Sequence, residues 1–344
     1  MIKLSDYGYQ VLQIETYGLC NMECGFCPYP SKSKNAKTSK LEDGLIKKII
    51  DEIDPNDEKF KYITFSQFNE PLLDKRIFEF LEYAKNKGLE VYFITNGLLL
   101  DKKIYIDKLI ELNPVIKISL QILDDSKHKI GRGLNLDLER YIGKIKSFIE
   151  VAKNTNLDVT IDVGSNFNDS KIKFILRKLL GFSTGDPNIP YTSKETLFFL
   201  EKYFQSIFNS KSDLNFLKEN KKINNHYLSQ EGIKVTENIR IKIKHFHYGN
   251  KIRDFKPINN NFSCDSTILG IQSGGEVEPC CLAYDNSISL GKITDKSLKE
   301  ILDDNLFLKN LRKKNGEKHI TCRKCFGEPT RRGVVFRNLI NSFK

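Results

Sequence analysis

The sequence predicts an α/β protein in which a parallel sheet or partial barrel is followed by a smaller C-terminal domain. Two observations support this fold. Strand-like and helix-like segments alternate five times between residues 11 and 180, a pattern typical of βα units wound right-handed around a parallel sheet. The cysteines lie at the two ends of the chain, at positions 20, 24, 27, 264, 280, 281, 322 and 325, and none lies in the long middle.

The spacing of apolar residues predicts each element of the first half. Residues 11–17 alternate apolar and polar side chains as a half-buried strand does, and residues 38–53 carry leucine and isoleucine at helical spacing. Further strands are predicted at 61–67, 90–95, 115–122 and 158–163, and further helices at 74–86, 102–112, 137–153 and 170–180. Function in such sheets gathers at the carboxyl ends of the strands.

The second half is predicted to hold helices at 193–209 and 213–225, and then a strand at 237–248 in which isoleucines alternate with basic residues. A β-hairpin follows, with strands at 266–272 and 276–280 around a glycine turn. Helices at 297–303 and 306–312 lead into a polar, arginine-rich tail. The predicted domains are residues 1–232, within which 181–232 have no firm assignment, and residues 233–344.

The composition is that of a globular protein, with 40% hydrophobic and 29% charged residues in 344. No segment approaches the roughly 20 apolar residues of a membrane helix, and the N-terminus lacks the apolar stretch of a secretory signal. The sequence therefore predicts a cytoplasmic protein without a membrane partner. In that reducing compartment, clustered cysteines serve metal or catalytic sites rather than disulfides.

The formal net charge of +11 does not by itself name a partner. Lysine is spread along the chain, as an AT-rich genome would also produce. One segment is locally basic, because residues 234–256 carry seven Lys or Arg against Glu237 and Asp254. This segment is either a solvated face or a wall that attracts a phosphate or carboxylate of an anionic substrate. Nucleic acid is not expected as a partner.

The most informative motif is Cys20-x3-Cys24-x2-Cys27, which follows the first predicted strand. Three thiolates do not complete a tetrahedral zinc site, which takes four protein ligands. They can hold three irons of a [4Fe-4S] cluster and leave the fourth iron open to a ligand that is not protein. Half of a zinc site is the alternative interpretation of this motif.

With Phe26 directly before the last cysteine, the motif resembles that of radical S-adenosylmethionine (SAM) enzymes, and the resemblance covers roughly residues 10–180. It implies a partial (β/α)6 parallel barrel, a [4Fe-4S] cluster on Cys20, Cys24 and Cys27, and SAM on the open iron. The chain departs from the family at Phe68-Asn69-Glu70-Pro71, which keeps the Glu-Pro of the usual Gly-Gly-Glu-Pro loop and lacks both glycines.

The resemblance also implies a set of SAM-binding residues after the predicted strands. Arg132 matches the residue that pairs with the SAM carboxylate, a task that suits a guanidinium. Structural alternatives exist, since Asn96-Gly97 is also a common turn pair, Ser119 would fit a core position, and Arg132 would fit a surface. The complete set is Phe26, Glu70, Asn96, Ser119, Gln121, Arg132 and Gly164.

A second set of four cysteines, Cys264, Cys280, Cys322 and Cys325, resembles the SPASM and twitch domains that hold auxiliary clusters, because Gly275 precedes Cys280 by five positions. The resemblance implies a twitch-like hairpin plus helix domain with a second [4Fe-4S] cluster that has no open iron, which favours electron transfer. A structural zinc site is the alternative. The remaining Cys281 is interpreted as a small buried side chain, or else as a hydrogen-atom donor.

By its two clusters the chain resembles radical SAM oxidoreductases that dehydrogenate a cyclitol or sugar. That activity implies an electron donor such as flavodoxin or ferredoxin and a base for the hydroxyl proton; His128, His245, His247 and Arg132 are candidates by polarity alone. Two alternatives remain: crosslinking or epimerisation of a ribosomally made peptide, and a non-catalytic iron-sulfur or zinc protein.

Overall fold

A computed structural model of the protein describes most of the chain. The described ranges are residues 1–121, 131–133, 137–165, 171–183, 193–204, 230–245, 254–280, 282–283, 287–303 and 305–342. The predicted helix at 213–225 lies outside these ranges. Every helix within them is too short or too polar to traverse a lipid bilayer.

The strands form two five-stranded sheets whose orders are β10-β9-β8-β1-β2 and β3-β4-β5-β7-β6. Strand pairing is parallel from β1 to β2, from β3 through β4 and β5 to β7, and from β1 to β8. The strands are β1 (Val11–Ile14), β2 (Tyr62–Thr64), β3 (Tyr92–Thr95), β4 (Val115–Gln121), β5 (Val159–Ser165), β6 (Ile233–Lys234), β7 (Ile239–His245), β8 (Ile268–Ile271), β9 (Glu276–Glu278) and β10 (Gly291–Lys292).

A parallel bridge between Ile63 and Val91 joins the two sheets where β2 meets β3. The parallel strands β1, β2, β3, β4, β5 and β7 thus follow one another around a curved surface, which confirms the predicted parallel α/β barrel. The described helices are α1 (Lys34–Thr38), α2 (Asp43–Glu52), α3 (Ile77–Asn86), α4 (Lys103–Leu112), α5 (Leu138–Ala152), α6 (Lys171–Leu180), α7 (Ser193–Phe204), α8 (Leu298–Leu302), α9 (Leu306–Arg312), α10 (Ile320–Cys325) and α11 (Arg331–Ser342).

Each central strand has an apolar face toward the helices and a polar face toward the barrel interior. In β4, buried residues alternate with partly exposed ones along the whole strand, as the two-residue repeat of a strand requires. Ile118 faces helix α5, because Gly97 lies against both Ile118 and Ile145. Lys117 and Ser119 therefore point to the opposite side, into the barrel.

Helix α5 shows how the sequence defines one wall of the barrel. The Asp137 side chain accepts a hydrogen bond from the Arg140 backbone N–H and caps the helix N-terminus. Apolar residues three and four positions apart then form one buried face against the sheet. That face comprises Leu138, Tyr141, Ile142, Ile145, Phe148, Ile149 and Ala152.

The predicted glycine hairpin is confirmed, because β8 and β9 pair antiparallel on either side of residues 272–275. β8 also pairs in parallel with β1, so the C-terminal segment extends the barrel sheet itself. β7 hydrogen-bonds to β5 and lies in the sheet of the barrel, although the predicted domain division places it after residue 232. That division stays a prediction.

One local prediction was wrong. The helix predicted at 38–53 is interrupted at residues 39–42, where Leu41 N–H donates to the Thr16 carbonyl and the chain runs along the end of β1. The polar tail beyond Cys325, for which the sequence predicted no element, contains α11. Thr330 caps α11 through the Gly333 N–H and also donates to the Gly181 carbonyl, so contacts with α6 order this polar helix.

We expect Phe148→Ala to lower the free energy of unfolding by about 3–5 kcal/mol, the usual cost of a large aromatic cavity, because Phe148 is fully buried in α5. Val151→Ala in the same helix is the matched control, since Val151 is 41% exposed. Urea denaturation followed by circular dichroism measures both. Equal shifts of the two midpoints would show that this helix face does not form the core.

Candidate active site and cluster-binding cysteines

The N-terminal cysteines lie in a loop between β1 and α1 that is fixed by backbone contacts. Cys24 is buried and Cys20 and Cys27 are half-buried. Cys27 N–H donates to the Cys24 carbonyl at 2.9 Å, and the Tyr29 hydroxyl donates to the Cys20 carbonyl at 3.0 Å. The Tyr29 N–H points at Cys27 Sγ from 3.4 Å, so the loop already provides a donor for a thiolate.

Burial raises the pKa of the Cys27 thiol to about 12 and raises the pKa values of Cys20 and Cys24 as well. Thiols of this kind stay protonated at neutral pH unless a metal displaces the proton. The charges of Cys24 and Cys27 also contribute to the raised pKa of Cys20, which shows that the three side chains share one region of the loop.

Glu70, in the loop after β2, is buried and joins this loop to the end of β3. Its Oε1 accepts hydrogen bonds from Thr95 Oγ1 at 2.7 Å and the Leu72 N–H at 3.2 Å, and its Oε2 accepts from the Asn96 N–H at 2.8 Å. Burial raises the pKa of Glu70 to about 7, although these three hydrogen bonds act in the opposite direction. The carboxylate thus positions two loops, and its predicted contact with SAM stays a prediction.

Asn96 connects the end of β3 with the cysteine loop. Its Nδ2 donates to Asn21 Oδ1 at 2.7 Å and lies 3.9 Å from Cys20 Sγ, while its Oδ1 accepts from the Leu98 N–H. The turn formed by Asn96 and Gly97 therefore contacts the cysteine loop, and its predicted contact with SAM stays a prediction.

The segment 131–133 packs directly on the cysteine loop. The Gly25 N–H donates to the Gly131 carbonyl at 3.1 Å. Gly133 has a left-handed φ of +59°, and a Cβ there would lie 2.2 Å from the Glu23 carbonyl oxygen. Only glycine satisfies both the backbone angle and this close approach.

Arg132 is 2% exposed, so the structure excludes the surface alternative. Its Nη2 donates to the Ser119 carbonyl and to the Tyr141 hydroxyl, and its guanidinium lies 5.8 Å from the Phe26 ring centre. Burial alone would lower the pKa of Arg132, but the neighbouring Cys24 and Tyr141 raise it, so the side chain remains charged. Its Nε has no hydrogen-bond partner among the described residues, which leaves one buried donor for an anion.

The remaining predicted residues lie at the carboxyl ends of β4 and β5. Ser119 lies on the interior face, and the pairing register with β5 shifts between Ser119 and Gln121. Gln121 itself has a φ of +63°, an unusual value for a residue other than glycine. Gly164 pairs with Lys244 of β7. Their predicted contacts with SAM stay predictions.

A buried ion pair joins the cysteine loop to the C-terminal hairpin. Lys32 Nζ lies 2.6 Å from Glu15 Oε2, and both side chains are almost completely buried. The same carboxylate oxygen accepts from the Ser273 hydroxyl at 2.8 Å and from the Ser273 N–H at 3.2 Å. Sequence analysis missed this contact, because the three residues are distant in the chain and match no motif.

The C-terminal cysteines gather around Tyr9 and α10. Cys322 and Cys325 are three positions apart in α10 and so lie on one face of that helix. Burial and the neighbouring Cys264 raise the pKa of Cys322 to about 12. Burial raises the pKa of Tyr9, and the neighbouring Cys280 and Cys264 raise it further. Cys281 lies outside the described residues.

Within the ranges that the structure describes, no three His, Cys, Asp or Glu side chains converge closely enough to share one metal ion. A [4Fe-4S] cluster does not require such convergence, because each thiolate binds a different iron. The donors fit clusters of this type: none of the seven described cysteines forms a disulfide bond, and the N-terminal loop lies beside Arg132 Nε, which has no hydrogen-bond partner among the described residues.

Sequence analysis also missed the polar lining of the barrel. Thr160, Asp162 and Gly164 alternate along β5 with the buried Val159, Ile161 and Val163, so the same two-residue repeat that predicts the strand also identifies its interior face. Asp162 Oδ2 accepts from Lys244 Nζ at 2.8 Å, whereas Oδ1 has no partner among the described residues. Of the candidate bases, His128, His247 and the side chain of His245 lie outside the described residues.

Two family models match this chain: the Radical SAM superfamily over residues 14–179 and an iron-sulfur cluster-binding domain, SPASM, over residues 264–326. The chain carries a radical SAM domain followed by a SPASM domain, and this family assignment confirms SAM and [4Fe-4S] clusters as its cofactors.

A curated relative, an uncharacterized protein of Methanocaldococcus jannaschii, is 29% identical over 173 residues, which is 49% of this chain and 53% of the relative. The chain thus matches about half the length of that protein. Solved structures with a similar fold include anSMEcpe with bound AdoMet and a Kp18Cys peptide (18% identity, TM-score 0.52, covering 97% of this chain and 96% of that one). Streptococcus suis SuiB bound to its precursor peptide SuiA is also similar (17% identity, TM-score 0.51, 90% and 69% covered).

We expect Gly133→Ala to separate segment 131–133 from the cysteine loop, because the new Cβ would overlap the Glu23 carbonyl. SAM affinity after anaerobic reconstitution should fall at least tenfold. Gly143→Ala is the matched control, since a Cβ at Gly143 in α5 meets nothing within 4 Å and alanine favours a helix. SAM binding by equilibrium dialysis measures both variants, and unchanged affinity in Gly133→Ala would show that this docking is not needed.

We expect Lys32→Met to destabilise the protein by about 3–5 kcal/mol, because the variant leaves the buried Glu15 charge without its partner. Lys34→Met removes an exposed lysine two residues away and should change stability by less than about 0.5 kcal/mol. Thermal and urea denaturation provide the comparison. If the two variants are equally stable, the ion pair does not hold the hairpin to the barrel.

Proposed function

We propose that the protein is an oxidoreductase that dehydrogenates a small hydroxylated substrate, such as a cyclitol or sugar, inside the barrel. The observation that supports this proposal is the difference between the two cysteine sets. The loop with Cys20, Cys24 and Cys27 offers three thiols, which leaves one iron of a cluster open, whereas Cys264, Cys280, Cys322 and Cys325 offer four. The second set suits an electron acceptor rather than a substrate ligand.

Cys20, Cys24 and Cys27 would hold a cluster that, with SAM, would supply the radical chemistry for removing a substrate hydrogen atom, and Cys264, Cys280, Cys322 and Cys325 would hold a cluster able to accept the remaining electron. The chain supplies the binding surface, the orientation of substrate and the exclusion of water. Glu70, Asn96 and Arg132 contact the loops beside Cys20, Cys24 and Cys27, and the barrel interior would hold the substrate.

The chain must also take the hydroxyl proton of the substrate. Asp162 is a suitable acceptor, because it lies on the interior face of β5 and its Oδ1 has no partner among the described residues. The ammonium of Lys244, 2.8 Å from Oδ2, would orient the carboxylate. This role is a proposal for a residue that sequence analysis did not select.

Modification of a peptide, by crosslinking or epimerisation, is the second candidate. It is favoured by the two similar structures that hold peptides, anSMEcpe with the Kp18Cys peptide and SuiB with SuiA. Both are less than 20% identical to this chain, so the similarity concerns the fold. An electron donor such as flavodoxin or ferredoxin is required in either case, and a cytoplasmic location suits that requirement.

The test is the iron content and SAM cleavage of the reconstituted protein. The wild type should hold about eight irons and a Cys20/Cys24/Cys27→Ala variant about four, and with dithionite and SAM only the wild type should release 5'-deoxyadenosine. Cys280→Ala should lose auxiliary iron, whereas the neighbouring Cys281→Ala should keep it. About four irons together with stoichiometric zinc in the wild type would remove the electron acceptor and contradict the dehydrogenase proposal.

A further inference from the structure

Basic side chains line the interior face of two barrel strands. Lys117 of β4 is in register with Thr160 of β5, and Thr160 is in register with Arg240 of β7. Two residues further along the strands, Asp162 is in register with Lys242, and after two more residues Gly164 is in register with Lys244. Since residues in register on parallel strands share a face, the four basic residues Lys117, Arg240, Lys242 and Lys244 lie on the interior face. We call them the interior cation face.

Acidic residues on these strands do not balance the interior cation face. Asp162 is the carboxylate on the same face of β4, β5 and β7, and it pairs with Lys244 at 2.8 Å. On these three strands, four cations and one carboxylate leave a net charge of +3; Glu231, which precedes β6, also lies close enough to Lys242 to raise its pKa. Among the described residues, Lys117 and Lys242 form no ion pair, and the ammonium of Lys117 lies 5.4 Å from the ring centre of Tyr92.

The uneven charge has an energetic cost. Burial lowers the pKa of Lys117, and the neighbouring Lys244 and Lys242 lower it further. Burial, Lys244 and Arg240 likewise lower the pKa of Lys242. Like charges in a partly desolvated space repel one another, and an anion bound among these ammonium groups would remove this repulsion.

The opposite wall of the interior carries neutral polar groups. Gln13 of β1 is in register with Thr64 of β2, and Gln67 lies against Gly270 of β8. Their buried atoms Gln13 Oε1, Thr64 Oγ1, Gln67 Oε1 and Gln67 Nε2 have no hydrogen-bond partner among the described residues. Buried polar atoms are normally paired, so these atoms suit the hydroxyl groups of a ligand.

We propose that the substrate is a phosphate-bearing polyol whose phosphate binds Lys117, Lys242 and Lys244 while its hydroxyl groups face Gln13, Thr64 and Gln67. This inference rests on the proposed function and names its substrate class. A phosphate monoester carries about two negative charges at neutral pH and neutralises most of the interior charge, whereas a carboxylate neutralises only one. Lysine also serves as a point-charge ligand for phosphate.

The test is calorimetric titration of inorganic phosphate into the reconstituted holoenzyme saturated with SAM, at fixed ionic strength. Phosphate should bind the wild type, and Lys242→Gln and Lys117→Met should each weaken that binding about tenfold or more, the effect of one lost charge-assisted contact. Lys242→Arg keeps the charge and should retain most of the affinity. Lys103→Gln is the matched control, because Lys103 is a highly exposed lysine on helix α4, outside the barrel.

Three results would overturn the inference. The first is equal phosphate affinity in all variants, and the second is acetate binding as tightly as phosphate. The third is a loss of SAM affinity in Lys242→Gln and Lys117→Met that is as large as their loss of phosphate affinity. Acetate binding would instead indicate a carboxylate substrate, such as an acidic peptide. Release of 5'-deoxyadenosine by the same wild-type preparation separates the two proposals. If the protein binds phosphate in the predicted pattern but never cleaves SAM, the anion site is supported and the proposed function is contradicted.

Discussion

The buried ion pair of Glu15 and Lys32 is the contact on which the arrangement of the two cysteine sets depends. Glu15 follows β1, Lys32 ends the cysteine loop, and Ser273 turns the C-terminal hairpin, so one carboxylate oxygen fixes three segments. Removing two charges from water is costly unless their geometry and hydrogen bonds compensate. If the hairpin moved away from the loop, the buried charges would lose their partners. The two cysteine sets are therefore held in one relative position.

The strands of the barrel have apolar outer faces and polar inner faces. Isoleucine, valine and leucine on the outer faces of β4, β5 and β7 are fully buried against helices, and this burial provides the stability of the fold. The interior faces carry lysine, arginine, aspartate, threonine and glutamine, and several of these side chains have atoms with no hydrogen-bond partner in the part of the chain that the structure describes. Because the apolar outer layer stabilises the fold, the interior can carry polar groups that do not pair with one another and that could bind a ligand.

Side-chain contacts join the described loops that follow β1, β2 and β3 and the segment 131–133. Glu70 joins the loops after β2 and β3, Asn96 joins the latter to the cysteine loop, and Arg132 packs between Phe26 and Tyr141. A highly reactive radical has to meet its substrate in one orientation and without water. A site whose loops are hydrogen-bonded to one another suits that requirement.

The sequence by itself determined the strand and helix alternation, the glycine hairpin and the seven cysteines of the two sets, because each has a short-range signature in hydrophobic spacing, turn residues or ligand spacing. It also located Glu70, Asn96 and Arg132 at strand ends. Only the tertiary structure decided that Glu70 and Arg132 are hydrogen-bonded to other residues of the protein, that β8 pairs with β1, and that Lys117 lies on the same face of the sheet as Lys242 and Lys244. Those contacts join residues far apart in the chain, and the register between strands, which no local pattern records, brings them together.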